Sequence, residues 1–166
     1  MTRGAFLHTA MCALLAWTLA ACGDGSCYDN GSSLPLARFY ESGTTSTLTV
    51  LNLTVKGIDS PGDTILIKNS SVSECYLPLR ATVNTTQYEL RYGTEEGKAS
   101  VADTITFNYK PVPYFSSHEC GAMYNFEVSS LTTTHHVIDS VTLVNPVITN
   151  TTNVALRIYI SDDDTE

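Results

Sequence analysis

Basic side chains are scarce in this sequence, which holds 9 lysines and arginines against 17 aspartates and glutamates. A protein that binds nucleic acid needs patches of Lys and Arg to neutralise phosphates, so nucleic acid is excluded as a partner. The same shortage excludes a polybasic segment that would hold the chain to anionic lipids. The function must therefore rest on contacts other than those with polyanions.

The motifs of common catalytic sites are also missing. The sequence has no Gly-rich phosphate loop, no Gly-x-Ser-x-Gly elbow and no His-Glu-x-x-His helix. In "SSHECG" at 116–121, His118 and Cys120 would share one face of a strand, as a base and a nucleophile must, but no activating site accompanies them. His118, Glu119 and Cys120 could form a zinc site with His135 and His136, but these residues lack the regular spacing of zinc ligands, which favours surface histidines. The sequence thus predicts a protein that is not an enzyme, with no catalytic residue, metal site or cofactor.

The N-terminal segment has the pattern of an export signal. Arg3 precedes the apolar run "AFLHTAMCALLAWTLA", which is shorter than the roughly 20 residues of a membrane-spanning helix. The run ends in "LAAC" at 19–22, which resembles the lipobox of bacterial lipoprotein signals. This resemblance implies cleavage of residues 1–21 and lipidation of Cys22, whereas a plain secretory signal with a chance cysteine is the alternative. Two or more fatty chains on Cys22 would hold the protein stably on a membrane.

The mature chain has the size of one domain. Without residues 1–21 it keeps 145 residues and a net charge of −9, and it can bury a substantial core. Residues 22–33 are small and polar after Cys22, which predicts a lipidated, flexible tether. Residues 34–160 are predicted to form the folded domain. Residues 161–166 form an acidic tail, which we interpret as solvated because no loop of alternating oxygen ligands surrounds it.

From residue 34 onward, apolar residues alternate with polar ones, as in half-buried strands. The apolar members of three such runs are Tyr88, Leu90 and Tyr92; Ile105, Phe107 and Tyr109; and Val154, Leu156, Ile158 and Ile160. The segment "TLTVLNLTV" slips phase between Val50 and Leu51, which predicts a bulge or a strand buried on both faces. Turn residues separate the runs at 41–44, 59–63, 93–98, 110–113 and 145–153.

The fold class follows from this pattern. Eight or nine candidate strands and no convincing amphipathic helix predict an all-β, antiparallel β-sandwich of immunoglobulin-like architecture. A closed barrel is the alternative.

Three cysteines remain for the domain once Cys22 carries lipid, so one disulfide can form in an oxidising compartment. A Cys27–Cys120 bridge would close most of the domain, would contribute about 4–5 kcal/mol in the chain-entropy account, and would pin the tether to the sandwich. Cys75 would then be a buried small hydrophobic residue. A Cys75–Cys120 bridge is the alternative.

One tripeptide pattern recurs. "DTI" occurs at 63–65 and 103–105, and "DSV" at 139–141. All three resemble the O-glycosylation triplet of Bacteroides-type bacteria, which implies glycans on Thr64, Thr104 and Ser140. The alternative is ordinary strand chemistry, in which Asp ends a turn, Thr begins a strand and the aliphatic residue faces the core.

Most of the mature chain resembles a family of small lipoproteins of Bacteroidota with no assigned function. The segments that carry the resemblance are "SLPLARFY" at 33–40, "LTVKGIDSPGDTI" at 53–65, "YLPLR" at 76–80, "DTITFNYKPVPYFSSHECGAMYNFEV" at 103–128 and "THHVIDSVTLVNPVIT" at 134–149. In that family a cysteine near the tether and the cysteine of the "CG" pair recur, which implies a Cys27–Cys120 disulfide and an unpaired Cys75. The family carries no established catalytic residues, so none is transferred.

These observations predict an outer-membrane lipoprotein, on the periplasmic face or the cell surface. It would act as a non-enzymatic interaction module or as an accessory subunit of an envelope complex, with an envelope protein such as an outer-membrane β-barrel as its partner. The alternative is a lipoprotein that binds a small ligand or glycan at a tyrosine-lined surface near "KPVPYF", where Tyr109 and Tyr114 are the candidate contacts.

Overall fold

The computed structural model describes residues 33–59, 64–93, 100–117 and 121–161, and no helix occurs among them. Ten strands form two sheets that pack against each other, which confirms the all-β prediction. The strands are β1 (Leu36–Glu41), β2 (Val50–Ile58), β3 (Ile65–Val72), β4 (Glu74–Tyr76), β5 (Thr85–Tyr92), β6 (Val101–Ser117), β7 (Gly121–Thr133), β8 (Ile138–Leu143), β9 (Val147–Ile148) and β10 (Val154–Ile160). The sequence predicted eight or nine strands, because β4 and β9 are too short to show a period. A search of the described residues for a helix that could span a membrane finds none.

The two sheets have different sizes. One has four strands in the order β4-β1-β10-β8, and the other has six in the order β3-β2-β5-β6-β7-β9. Neighbouring strands are antiparallel, with the exception of β1 and β10, which run parallel from the Leu36–Val154 pair to the Glu41–Ile160 pair. The prediction of a purely antiparallel sandwich is therefore wrong at this pair. Since the whole domain separates β1 from β10 along the chain, no hairpin turn forces them to be antiparallel.

The core lies between the sheets and receives alternate side chains from both of them. Phe39, Leu156 and Ile158 from the four-stranded sheet and Leu90 and Phe107 from the six-stranded sheet are all fully buried. Tyr88 meets Phe107 edge to face at 6.4 Å between ring centroids, and Tyr109 meets Phe126 in the same way at 5.4 Å. The predicted period-two alternation is thus confirmed, except that Tyr92 and Val154 are only half-buried.

The predicted phase slip in β2 is a bulge. The pairing of β2 with β3 changes register between Val50 and Leu53, and Asn52 takes the left-handed conformation with φ of 51°. Two further register shifts follow along the same pair, and Asn69 of β3 also has a positive φ of 43°. Because β3 ends the six-stranded sheet, these irregularities make its outer edge a poor template for pairing with another chain.

The predicted turn at 110–113 is wrong, because these residues continue β6. The last β6 residue that pairs with β5 is Asn108, and beyond it β6 pairs with β7 alone. The amide of Tyr109 donates toward the β5 side, to the Asn84 carbonyl at 2.9 Å. The nitrogens of Pro111 and Pro113 lie on that same side by strand alternation, where no described strand needs a donor, so proline is tolerated there. We call residues 111–117 of β6 with 121–125 of β7 the ribbon.

Candidate functional site

Several predicted site residues cannot be placed. Cys22, Cys27 and Cys120 lie outside the described residues, as does His118. Lipidation of Cys22 and the Cys27–Cys120 disulfide therefore stay predictions.

The candidate glycosylation residues lie in three settings. Thr64 is exposed immediately before β3, Thr104 is half-buried in β6, and Ser140 is half-buried in β8. Ser140 pairs with Tyr159 and not with one of the core residues of β10. The alternative interpretation of "DTI" at 103–105, in which Asp ends a turn and Thr begins a strand, holds only in part. Ile105 faces the core as that interpretation expects, but Asp103 lies within β6 rather than at a turn.

Cys75 is a buried, free thiol in β4, opposite Ala37 of β1. Its burial agrees with the sequence prediction. Desolvation, with a smaller contribution from the charge of Glu74, raises the pKa of Cys75 to about 12. The thiol is therefore protonated at neutral pH and is a poor nucleophile.

We expect iodoacetamide at pH 8 to leave Cys75 unmodified in the folded protein and to modify it in urea. The reactive form is the thiolate, which a pKa of about 12 reduces to roughly one molecule in ten thousand at this pH. Peptide mapping by mass spectrometry measures the modification, with Cys75→Ala as the control for assigning the peptide. Equal labelling rates with and without urea would contradict the burial of this side chain.

The most elaborate polar arrangement surrounds Asp103, a carboxylate with 0% exposure. Its Oδ1 accepts hydrogen bonds from the Thr134 hydroxyl at 2.7 Å and from the backbone amide and Nδ1 of His136 at 2.8 and 3.1 Å. Its Oδ2 accepts the backbone amides of Val137 and Ile138 at 2.8 and 2.9 Å. The carboxylate thus fastens the β7–β8 connection to β6.

The hydrogen bonds decide the charge of Asp103. Burial by itself raises the pKa of this carboxyl, but the bonds from Thr134 and from the amides of Ile138, Val137 and His136 outweigh it, and the pKa lies below its ordinary value. A carboxylate with five donors already in place has no capacity left to take up a substrate proton. Asp103 is therefore a structural clamp rather than a catalytic base.

The two neighbouring histidines of the β7–β8 connection contact residues of β6 and β8. His136 contacts Asp103, whereas His135 donates from Nδ1 to the carbonyl of Asp139 at 2.9 Å. In the part of the chain that the structure describes, no three His, Cys, Asp or Glu side chains gather as a metal site would require. Sequence reasoning missed the role of Asp103, because the donors that identify it lie 31 to 35 residues further along the chain.

Tyr109, a candidate ligand contact, belongs to the core. The side chain is buried. Its hydroxyl donates a hydrogen bond to the Arg80 carbonyl at 2.9 Å. The same oxygen accepts hydrogen bonds from the Arg80 amide at 3.0 Å and from the Thr86 hydroxyl at 2.7 Å. A tyrosine with these bonds fixes the segment before β5 and presents no face to a sugar. The interpretation of Tyr109 as a glycan contact is therefore wrong.

One described cleft lies where the segment before β1 meets β9. It has a volume of about 40 Å³ and is lined by Leu34, Val147, Ile148 and Val154, among others. Sites for small molecules usually measure about 300–1,000 Å³, so this cleft accommodates little more than a water molecule.

The ribbon carries the most exposed aromatic side chain of the described residues. Along β6 the core-facing positions are Phe107 and Tyr109, both buried, and the same face continues to Phe115, which is 68% exposed. On β7, Tyr124 lies opposite Pro113 and is 39% exposed. Residues 111–117 and 121–125 include no charged side chain. An apolar face therefore extends beyond the end of β5.

The chain enters the domain beside the ribbon. Ser33, the first described residue, is only 2% exposed and donates its hydroxyl hydrogen to Oδ1 of Asn125 at 3.1 Å. Asn125 pairs with Val112 within the ribbon. Residues that precede Ser33 therefore start from this end of the domain.

Strand β8 forms an outer edge of the four-stranded sheet, with continuous register from Ser140 to Leu143 and a register shift at Asp139. It pairs with β10 on one side, and the described residues place no strand on the other. The amide of Val144 donates a hydrogen bond to the carbonyl of Ala155 in β10 at 2.8 Å. Because the backbone groups of successive residues in a strand point to opposite sides, the N–H and C=O groups of Val141 and Leu143 point away from β10. Their side chains pack against the core, and the exposed Val144 follows directly.

Comparison with known proteins identifies a family but no function. The model of a family described as "Family of unknown function (DUF6452)" matches residues 52–160, from the third residue of β2 to the end of β10. No curated protein and no solved structure matches the chain.

Proposed function

Because the chain belongs to the DUF6452 family of unknown function, its own residues must carry the argument, and we propose that it is a lipid-anchored, non-enzymatic interaction module of a bacterial outer membrane. The "LAAC" segment supports the anchor, and the two sheets around one core support an immunoglobulin-like sandwich. The small cleft and the saturated Asp103 carboxylate supply no chemistry for catalysis.

The outer edge of β8 is the observation that carries the binding role. An extended segment of another envelope protein, such as a β-barrel in the same membrane, would pair with the N–H and C=O groups of Val141 and Leu143 by strand addition. The inner face of β8 already lies on the core, so an added strand with apolar residues at alternate positions would extend the sandwich. The other terminal strands suit this role less, because β4 and β9 have three and two residues and β3 is irregular.

Modification of the hydroxyls belongs to the same proposal. Glycans on Thr64, Thr104 and Ser140 suit an envelope protein. The exposed position of Thr64 supports this modification, whereas Thr104 and Ser140 are half-buried in strands. The intact mass of the mature protein measures lipid and glycan together.

We expect Thr142→Lys to reduce crosslinking to a partner about tenfold, because a lysine on an edge strand opposes the addition of another strand. Thr142 is exposed, so the free energy of unfolding is expected to change by less than about 0.5 kcal/mol. The measurement uses full-length protein in its native membranes, with a photo-crosslinking amino acid at Val144 and mass spectrometry of the adduct.

Thr82→Lys is the matched control, since it adds the same charge at an exposed turn away from β8. Adducts that map to an extended segment of one envelope protein, lost in Thr142→Lys and kept in Thr82→Lys, are the expected result. Undiminished crosslinking in Thr142→Lys, or equal loss in both variants, would refute strand addition at β8.

A further inference from the structure

The ribbon is a second exposed surface, and its chemistry differs from that of β8. Pro111 and Pro113 remove two N–H donors from the β6 edge of the ribbon, so this edge is less suited to pairing with a strand than β8 is. What the ribbon offers instead is side-chain surface, chiefly Phe115 and Tyr124. Its occupant should therefore be one that accepts aromatic side chains without requiring a hydrogen-bond ladder.

We propose that the ribbon docks on the surface of the membrane that holds the lipid anchor, with Phe115 and Tyr124 in the interfacial layer. This inference rests on the proposed function, because the anchor at Cys22 is what brings the domain to the bilayer. The lipids on Cys22 hold the protein, and the ribbon sets the orientation of the domain.

The position of the chain entry supports this occupant. Ten residues lie between Cys22 and Ser33, and a flexible chain of this length spans roughly 18 Å on average. The ribbon extends about 14 Å from Asn125, the partner of Ser33, to Gly121. Since both distances start at the same end of the domain, a bilayer that holds Cys22 is within reach of the ribbon.

The composition of the ribbon fits the interface of a bilayer rather than its hydrocarbon core. Aromatic side chains concentrate at the level of the headgroups, where an apolar ring and polar neighbours are both accommodated. The carbonyls of Pro111 and Pro113 face the outer edge of β6 and need hydration, which the headgroup layer supplies. Lys110 and Glu127 pair across the strands just inside the ribbon, and between them in the sequence the only acidic residue is Glu119, in the connection between the two strands of the ribbon.

The experiment uses the absence of tryptophan from the mature chain. Trp17 is the single tryptophan and lies in residues 1–21, so Phe115→Trp and Leu51→Trp each create a unique fluorophore. Leu51 is the matched control, because it is 61% exposed on β2, outside the ribbon. Each full-length variant is expressed, isolated with its lipid, and reconstituted into phosphatidylcholine vesicles with or without brominated acyl chains.

We expect brominated lipid to quench the Phe115→Trp fluorescence at least about twofold and to leave that of Leu51→Trp unchanged, because bromine quenches only within or near the bilayer. Circular dichroism checks that both variants are folded. Equal quenching of the two variants, or none in either, would overturn docking of the ribbon. Protection of the Phe115→Trp fluorophore from iodide in native membranes, without quenching by brominated lipid, would identify a protein as the occupant and would also overturn it.

The N-terminal mass separates the two proposals. A lipidated Cys22 with an unquenched fluorophore at position 115 overturns the inference about the ribbon and leaves the proposed function standing. A mature chain without lipid on Cys22 overturns both.

Discussion

Replacing Asp103 with asparagine is expected to lower the free energy of unfolding by about 3 kcal/mol. The asparagine amide group would face N–H donors where the carboxylate oxygen now accepts the amides of Val137 and Ile138. Those two amides would remain buried without an acceptor, and the β7–β8 connection would lose its attachment to β6. Urea unfolding at pH 7, followed by circular dichroism, measures the change.

Asp139→Asn is the matched control, because this carboxylate is exposed and accepts only the hydroxyls of Ser42 and Ser140 among the hydrogen bonds described. We expect it to change the free energy of unfolding by less than about 0.5 kcal/mol. Equal effects of the two substitutions would show that Asp103 is not the clamp that its geometry indicates.

The Asp103 clamp also predicts a pH dependence. The folded-state pKa of Asp103 lies below the unfolded value of about 3.9, so its contribution to stability is fully present above about pH 5. That contribution is lost as the pH falls from there through the folded-state pKa, because the unfolded chain takes up the proton first. The difference in stability between the natural protein and Asp103→Asn should therefore shrink between pH 5 and pH 2. A difference that stays constant over this range would contradict an ionised Asp103.

Among chains from which residues 1–21 have been removed, Cys22→Ser is expected to move the protein from the membrane fraction to the soluble fraction. A serine has no sulfur to receive the lipid, and the two or more fatty chains that give stable anchoring would be absent. The aromatic side chains of the ribbon are too few to hold the domain alone, so release should be nearly complete. Fractionation of cells followed by immunoblotting measures the distribution.

Cys12→Ser is the control for this experiment, because Cys12 lies in residues 1–21, which the lipobox predicts to be removed, and its loss should leave the distribution unchanged. The soluble product of Cys22→Ser should also lack the mass of the lipid. Retention in the membrane, at the natural level, of a Cys22→Ser product whose N-terminal mass shows that residues 1–21 are removed would refute the lipid anchor.

The regular strands could be predicted from the sequence because their signal is local. Alternation of apolar residues marked β5, the first part of β6, and β10, and the phase slip marked the bulge near Asn52. The same local reasoning failed at Pro111 and Pro113. Proline is typical of turns and of outer edges alike, and only the position of β5 distinguishes these two cases.

The Asp103 clamp could not be predicted, because the hydrogen bonds that define it join parts of the chain that are distant in sequence. Asp103 occupies a core-facing position in an alternating strand, where an acid contradicts the pattern. An acid at a core-facing position is the local sign of a buried hydrogen-bonded carboxylate, but the interpretation of Asp103 as the first residue of a "DTI" triplet does not use it. Its amide partners could be identified only once β7 and β8 were placed next to β6.

The parallel pairing of β1 with β10 constrains the order in which the domain can be completed during synthesis. β10 is the last described strand, and it separates β1 from β8 in the four-stranded sheet. Until residues 154–160 have left the ribosome, both of these strands lack their central neighbour and the inner face of β1 has no completed sheet around it. Among the strands described, pairing of the first with the last also joins the most distant parts of the chain, which slows folding. The four-stranded sheet therefore cannot be completed before residues 154–160 are available, which is compatible with the export that we propose.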